Sequence, residues 1–343
     1  MIFMTQEEKQ IPKLILDAEY LSKIFEQRIR DIDRQGEKLL QIRSYRIKSH
    51  FDDKFFHYVI QNNLTIGIRG GLRRRYKVFC VAFSGHGRRQ MFQVIELVHK
   101  NGFDRGGVAV PRPLWYIEEL MSFFYVGVPG QNLLEHIKNG DVNYNLFSKI
   151  GAGLFNLHNI KVKNRVFGLK RHDFSMNYLD PTGILERGYN QDKVLARRVK
   201  EQLKELKSIY KKIIDDKYVL SHGDFHPENV IVHEFKHNKA IMIDFSESCF
   251  APAYYDMASF LQQLEFMSRS YITREQYQKL EGIFLRGYWG EAPINAKMMA
   301  KINLYKSWTT LKSVVYFMIF EDEVNMGSAE YLLRKSREYI EGR

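Results

Sequence analysis

Apolar positions recur along this chain at two different spacings, and the change of spacing divides it. Ile11, Leu14, Ile15, Ala18, Leu21 and Ile24 fall three and four apart, the mark of one helical face. The charged segment 1–42 therefore reads as an N-terminal helical extension. Residues 43–51, 55–66 and 76–83 are rich in β-branched and aromatic side chains and read as three strands of an antiparallel sheet. The spacing turns helical over 88–100, with Met91, Val94, Ile95 and Val98 on one side and Asn101-Gly102 as the stop. Val108-Ala-Val-Pro-Arg-Pro113 forces extended chain. Segments 114–117 and 121–126 read as a hairpin turning near Glu118-Glu119. Beyond Gly127-Val-Pro-Gly130 the pattern is mostly helical. Leu146, Phe147, Ile150, Leu154 and Leu157 make a core stripe, and His158 at its end reads as a satisfied core histidine. Asp192–Lys212 reads as a charged amphipathic helix, and 271–343 as helical and aromatic.

One stretch interrupts this helical half. Ser221-His-Gly-Asp-Phe-His-Pro-Glu-Asn229 is followed by two short apolar runs, Val230–Val232 and Ala240–Ile243, with the polar Glu234–Lys239 between them. That is a hairpin pattern, expected to bring Asn229 and Asp244, at its two ends, together. An Asp-x-x-x-x-Asn loop followed by a strand-end Asp is the spacing phosphoryl transfer requires. Asp224 would orient and deprotonate an attacking hydroxyl. Asn229 and Asp244, hard oxygen ligands, would hold Mg²⁺ on the nucleotide phosphates.

Composition narrows the alternatives. A chain of 343 residues suits two domains or one two-lobed one. No apolar run reaches the roughly 18 residues of a membrane span, and the polar start predicts no signal peptide. A cytoplasmic protein without a membrane partner is expected. Two cysteines, Cys80 and Cys249, read as buried free thiols. The net charge is +12, but the basic residues are scattered and no nucleic-acid-binding motif accompanies them, so no nucleic-acid partner is expected. The same charge repels polycationic substrates at long range.

His222-Gly-Asp-Phe-His-Pro-Glu-Asn229 followed by Ile243-Asp244 resembles the aminoglycoside phosphotransferase and choline kinase family, a branch of the protein-kinase-like fold. The resemblance runs from about Ser44 to about Phe266. It implies an α/β (α+β) protein of two lobes: a small nucleotide-binding lobe with an antiparallel β-sheet over 43–126, and a large, mainly helical catalytic and acceptor-binding lobe over 127–343. It implies an ATP-dependent transfer to a hydroxyl of a small-molecule acceptor, with Mg²⁺ as cofactor and GTP as an alternative donor. The backbone of Tyr125, Val126, Gly127 and Val128 would bind adenine. His222 and Asp256 would support the catalytic loop, although Asp256 also reads as a helix cap. His226, Glu228 and Glu247 are further candidates for contact with phosphate, metal or acceptor. Glu265, Glu281, Glu321, Asp322 and Glu323 lie where relatives bind acceptors, and solvated surface is the simpler reading of each.

The small lobe departs from the pattern. The turn 49–54 has no glycine, and Gly67-Ile-Arg-Gly-Gly71 reads as a turn into the third strand rather than a phosphate cradle. Family alignment puts Ala82 where a strand lysine should contact phosphate, Cys80 against adenine, and Gln90 at the partner glutamate. Either another cation contacts the phosphates, from Lys48, Lys54, Arg88 or Arg89, or turnover is slow. A kinase-like nucleotide- or partner-binding module with weak or no turnover is the alternative reading.

Overall fold

Thr5 starts the first helix with a reciprocal cap. Its Oγ1 accepts the Glu8 backbone N–H at 3.1 Å, and Glu8 Oε2 accepts the Thr5 N–H at 2.8 Å, which satisfies two donors at a helix start. The computed structural model describes residues 4–162, 168–175, 179–180, 183, 185, 193–213, 217–318 and 323–342. Its N-terminal helices are α1 (Gln6–Leu16), α2 (Ala18–Gln27) and the single turn α3 (Ile29–Ile32). Ile11, Ile15, Leu21 and Phe25 are buried, as their spacing predicts.

The first strand, expected at Arg43, begins at Gly36: β1 spans Gly36–Phe51, and the helical reading up to Ile42 is corrected. The Gly36 N–H donates to the Asp33 carbonyl at 2.8 Å. A Cβ on Gly36 would stand 2.9 Å from that oxygen. The tight reversal therefore needs glycine and ends the helix there. Most of β1 is exposed, so no alternation in its sequence marks it as a strand.

The remaining strands of this sheet are β2 (Phe56–Ile68), β3 (Arg73–Phe83), β5 (Arg112–Ile117) and β6 (Ser122–Val126), with helix α4 (Arg89–Val98) and the short β4 (Val108–Ala109) between β3 and β5. Their order is β1-β2-β3-β6-β5, antiparallel throughout. Gly70 and Gly71, at φ +81° and +74°, turn the chain from β2 into β3. A second sheet has the order β4-β10-β9-β7, from β7 (Gly130–Asn132), β9 (Val230–His233) and β10 (Ala240–Met242). The His233 N–H donates to the Lys239 carbonyl at 3.0 Å and closes the expected hairpin.

The two faces of β3 correct the alignment of its residues. Val78, Cys80 and Ala82 belong to the core formed with Ile15, Leu21, Phe25 and Phe124; Phe25 meets Phe124 edge-on at 6.1 Å. The opposite face carries Phe79, Val81 and Phe83. Val81 pairs with Phe123, and Phe123 packs 5.5 Å from Phe92 of α4. Paired residues share a face. Cys80 and Ala82 therefore face the N-terminal helices, not a nucleotide, and Ala82 does not face Gln90 of α4. Residues 79–83 are apolar on both sides of the strand, and a strand buried on both faces gives no alternation from which to set its phase.

The chain forms two compact units, one of Met1–Gln131 with Ile231–Ser246, the other of Asn132–Val230 with Glu247–Arg343. The second unit holds α5 (Leu133–Lys138), α6 (Tyr144–His158), α7 (Lys193–Ile213), α8 (Tyr254–Ser268), α9 (Arg274–Trp289), α10 (Ala296–Met318) and α11 (Glu323–Glu341), plus the paired strands β8 (Tyr218–Ser221) and β11 (Cys249–Pro252). Leu146, Phe147, Ile150, Leu154 and Leu157 are fully buried, as the stripe predicts. Stacked Phe260 and Phe284, 4.8 Å apart, tie α8 to α9. Cys80 and Cys249 are free and buried. Among the described residues, no helix is long and apolar enough to cross a membrane.

Candidate active site

In the second unit, β8 ends at Ser221, paired with Cys249 of β11, and the loop 222–229 leaves from there. Gly223 sits at φ +87°. A Cβ on it would lie 1.8 Å from the Glu247 carbonyl oxygen. Only glycine fits both the conformation and the space. Asp256, on the first turn of α8 and fully buried, accepts the backbone N–H of His222 at 2.7 Å and of Gly223 at 3.0 Å. It makes no side-chain cap on α8. His158 approaches Asp256 Oδ2 at 3.0 Å, and its other ring nitrogen meets the Tyr288 hydroxyl at 2.8 Å. Tyr255 donates to the Gly223 carbonyl at 3.0 Å. Burial raises the Asp256 carboxyl, but His158, the charge of His222 and the Gly223 N–H outweigh it and hold it below the ordinary aspartate value. Buried His222 lies 5.4 Å from the Phe225 ring.

Asp224 projects from this loop with its side chain 40% exposed. Partial burial pushes its carboxyl up, but His226 and the positive charge of Lys312 prevail and bring it down to about 2. His226 Nε2 is 3.5 Å from Asp224 Oδ2 and 3.0 Å from Asn229 Nδ2. Asn229 Nδ2 also donates to the Asp224 carbonyl at 2.9 Å. The amide nitrogen is thereby committed to the loop, and the amide oxygen is the end that can meet a cation. The tautomer with a lone pair on Nε2 lets the His226 ring accept from the Asn229 amide. The exposed Glu228 carboxylate is 4.0 Å from His226 Nδ1, and Glu247 is exposed. Lys312 of α10, which no sequence motif marks, places its Nζ 4.0 Å from Asp224 Oδ1.

In the first unit, Asp244 follows β10 at φ +58°, a conformation Asp tolerates better than most residues. Its Oδ1 accepts the Ser246 N–H at 3.3 Å, and its side chain is exposed. The carboxylate's charge is felt at His57 and at Tyr125. Burial, then Arg88 and Lys48, push His57 down to about 4 against that charge. Arg88 Nη2 lies 3.4 Å from His57 Nε2, and its guanidinium sits 5.0 Å over the Phe83 ring. Arg89 instead pairs with Glu118.

Tyr125 and Val126 end β6, and the Gly127 N–H donates to the Lys77 carbonyl at 2.8 Å. That donor is therefore spent within the sheet. A cavity of about 540 Å³ opens beside this point, its lining including Arg43, Asn63, Lys77, Val126 and Gly127. Among the described residues, no group of three or more His, Cys, Asp or Glu could by itself hold a metal ion.

The expected acceptor contacts resolve differently. Glu281 pairs with buried Lys306 and accepts from Tyr277 at 3.3 Å. Glu265 pairs with Lys335 at 3.0 Å and accepts from Tyr339. Neither is solvated surface, because α8, α9, α10 and α11 close around these lysines. Glu321, Asp322 and the Glu323 side chain lie outside the described residues.

A family model described as the phosphotransferase enzyme family matches residues 83–294, more than half of the chain. The chain belongs to the phosphotransferase enzyme family. The match begins at the last residue of β3, so the three strands with the departures noted above precede it. This phosphotransferase is similar in structure to a Plasmodium vivax ethanolamine kinase: TM-score 0.64, 12% identity, 98% of this chain and 96% of that one covered. It is also similar to a spectinomycin phosphotransferase solved with ADP and spectinomycin, at TM-score 0.60 and 15% identity over 94% and 98% of the two chains. A third similar structure, an amicoumacin kinase in complex with AMP-PNP, Ca²⁺ and Ami, gives TM-score 0.60 and 17% identity over 97% and 96%. No curated protein sequence matches the chain. The expected kinase-like fold, a small antiparallel sheet and a large helical part, is borne out, as is the expectation of a phosphotransferase.

Proposed function

We propose that this phosphotransferase moves the γ-phosphoryl group of ATP to a hydroxyl of a small molecule in the cytoplasm. The observation that carries the reading is Asp224: ionised, partly exposed, and presented by a loop that Asp256 and Tyr255 hold through its backbone. The acceptor hydroxyl donates to Asp224. As its oxygen bonds to the γ-phosphorus, the bond from phosphorus to the β,γ-bridging oxygen breaks, and ADP leaves with that electron pair. The proton passes to Asp224. A carboxylate held near 2 is a weak base, so it orients the hydroxyl and takes the proton late, as a loose transition state allows.

Asn229 of the second unit and Asp244 of the first are each proposed as an oxygen ligand of Mg²⁺, donors of the hard type that suits an ion retaining waters and phosphate oxygens. The ion, when bound, would supply neutralisation of phosphate charge. The backbone of Tyr125, Val126 and Val128, beside the cavity in the first unit, is the proposed adenine contact. Arg88 is the proposed substitute for the strand lysine, because its guanidinium stands over Phe83 on the α4 side of β3. ADP and AMP-PNP in the similar structures support a nucleotide donor, and ethanolamine and spectinomycin illustrate the range of hydroxyl acceptors.

The test is incubation of the protein with a metabolite pool, Mg²⁺ and γ-labelled ATP or GTP, followed by identification of the labelled product. Label should move from ATP to one small molecule with the wild type and not with Asp224→Ala. Nucleotide binding without any labelled product would favour a binding module, a reading supported by the apolar Phe79, Val81 and Phe83 on the α4 side of β3. Absence of nucleotide binding would sink both.

A further inference from the structure

Among the described residues of the second unit, one lysine stands beside the Asp224 carboxylate. Lys312 Nζ stands 4.0 Å from Asp224 Oδ1, too far for a hydrogen bond, with its side chain 35% exposed. Its ammonium is thus held near the carboxylate with donor capacity left over. Glu265 and Glu281, on the helices where acceptor carboxylates were expected, are neutralised internally by Lys335 and Lys306. Asp256 is fully buried and spent on the loop. Two further carboxylates of the described residues near the loop are exposed and point to water: Glu228 lies 4.0 Å from His226 Nδ1, and Glu247 follows the loop.

Deepening the phosphotransferase reading, on which it rests, we infer that Lys312 selects the acceptor: an anionic hydroxy compound whose carboxylate or phosphate pairs with Lys312 while its hydroxyl donates to Asp224. A hydroxyl about 2.7 Å from Asp224 and an anionic oxygen about 2.8 Å from Nζ fit together across the gap between the two side chains when two to four bonds separate the acceptor's hydroxyl oxygen from its carboxylate carbon or phosphorus. The compound is therefore a 2- or 3-hydroxy acid, a sugar acid or a polyol phosphate. An ammonium at the same place in the acceptor would meet Lys312 and be repelled. The overall +12 charge acts in the same direction at long range.

The experiment compares matched acceptors: glycerate and glycerol 3-phosphate against serinol, and gluconate against glucosamine. ADP release is measured with Mg-ATP, and acceptor binding by calorimetry with a non-hydrolysable ATP analogue. Carboxylate and phosphate arms separate the two anion sources. The wild type should favour the anionic member of a pair by about 10-fold or more, the effect of losing one charge-assisted contact. Lys312→Arg should keep the preference, Lys312→Met should abolish it, and Lys312→Glu should reverse it. Thermal unfolding of each variant checks that the unit still folds. A wild type that favours the amine members, or a ranking unmoved in a folded Lys312→Met, overturns the inference and leaves phosphotransfer standing. Loss of ATP binding by the wild type would instead overturn the phosphotransferase reading itself.

Discussion

Asp224 and Asp244 are both carboxylates in turns, and the two units hold them by different means. Asp224 leaves a loop whose backbone is tied from beneath: Asp256 takes two of its N–H groups, Tyr255 one carbonyl, Asn229 another, and Gly223 leaves room for the Glu247 carbonyl. Asp244 is exposed, at φ +58°, with one long bond to the Ser246 N–H. Behind the first lies a buried polar network; behind the second lies an apolar sheet whose strands are fixed by packing. Each unit is therefore vulnerable in its own way. Polar networks fail when one partner is removed, whereas apolar faces fail when a charge is forced into them.

The largest effect should come from Asp224→Ala, which removes the proposed base and costs about 10²–10⁴-fold in turnover. It should leave nucleotide binding measurable by calorimetry. A variant keeping more than a third of wild-type turnover would take Asp224 out of catalysis.

Ala82→Lys comes next and bears on the first unit alone. The new ammonium would enter the core shared with Ile15 and Phe25 and should cost about 3–5 kcal/mol, as an uncompensated buried charge does. Adding Gln90→Glu should not restore that loss, since α4 lies on the other face of the sheet. Coupling above about 0.5 kcal/mol in a double-mutant cycle on chemical unfolding would return Ala82 to the α4 face.

Asp256→Asn probes the network of the second unit. The amide keeps the shape but turns one acceptor into a donor against a backbone N–H, at a cost of about 1–3 kcal/mol. The wild-type pH dependence has the same origin. The Asp256 carboxyl is held below the ordinary aspartate value of 3.8, so the stability it contributes is fully present above that pH. It is lost as pH falls through the folded-state value. Acid unfolding followed by circular dichroism should begin at higher pH in the variant, and coincident acid midpoints would remove Asp256 from its bracing role.

The smallest effect is one of pH on turnover. Asp224 is lowered to about 2, so it stays ionised above roughly pH 4 and should give kcat no acid limb near neutrality. An apparent pKa between 5 and 7 that vanishes in Asp224→Asn would contradict that charge state.

The loop 221–229, the hairpin after it and the core stripe of α6 were legible in the sequence because local rules govern them. A glycine between His222 and Asp224, turn residues between two apolar runs, and a three-and-four spacing each dictate their structure with little help from distant residues. His158 could be read as a core histidine but not as the partner of Asp256, which lies far along the chain. The start of β1 stayed hidden because an exposed strand carries no hydrophobic alternation. Residues 79–83 gave no phase because both faces of β3 are covered. Nor could any spacing show that Glu281 meets Lys306, or that Lys312 reaches Asp224, since a lysine on a helix carries no sign of what the next helix brings to it. Order along the chain thus settles the class of chemistry and the loop that presents it. Which face of β3 meets the N-terminal helices, and which charge stands beside Asp224, depend on how separate elements pack, and residue order carries no record of that.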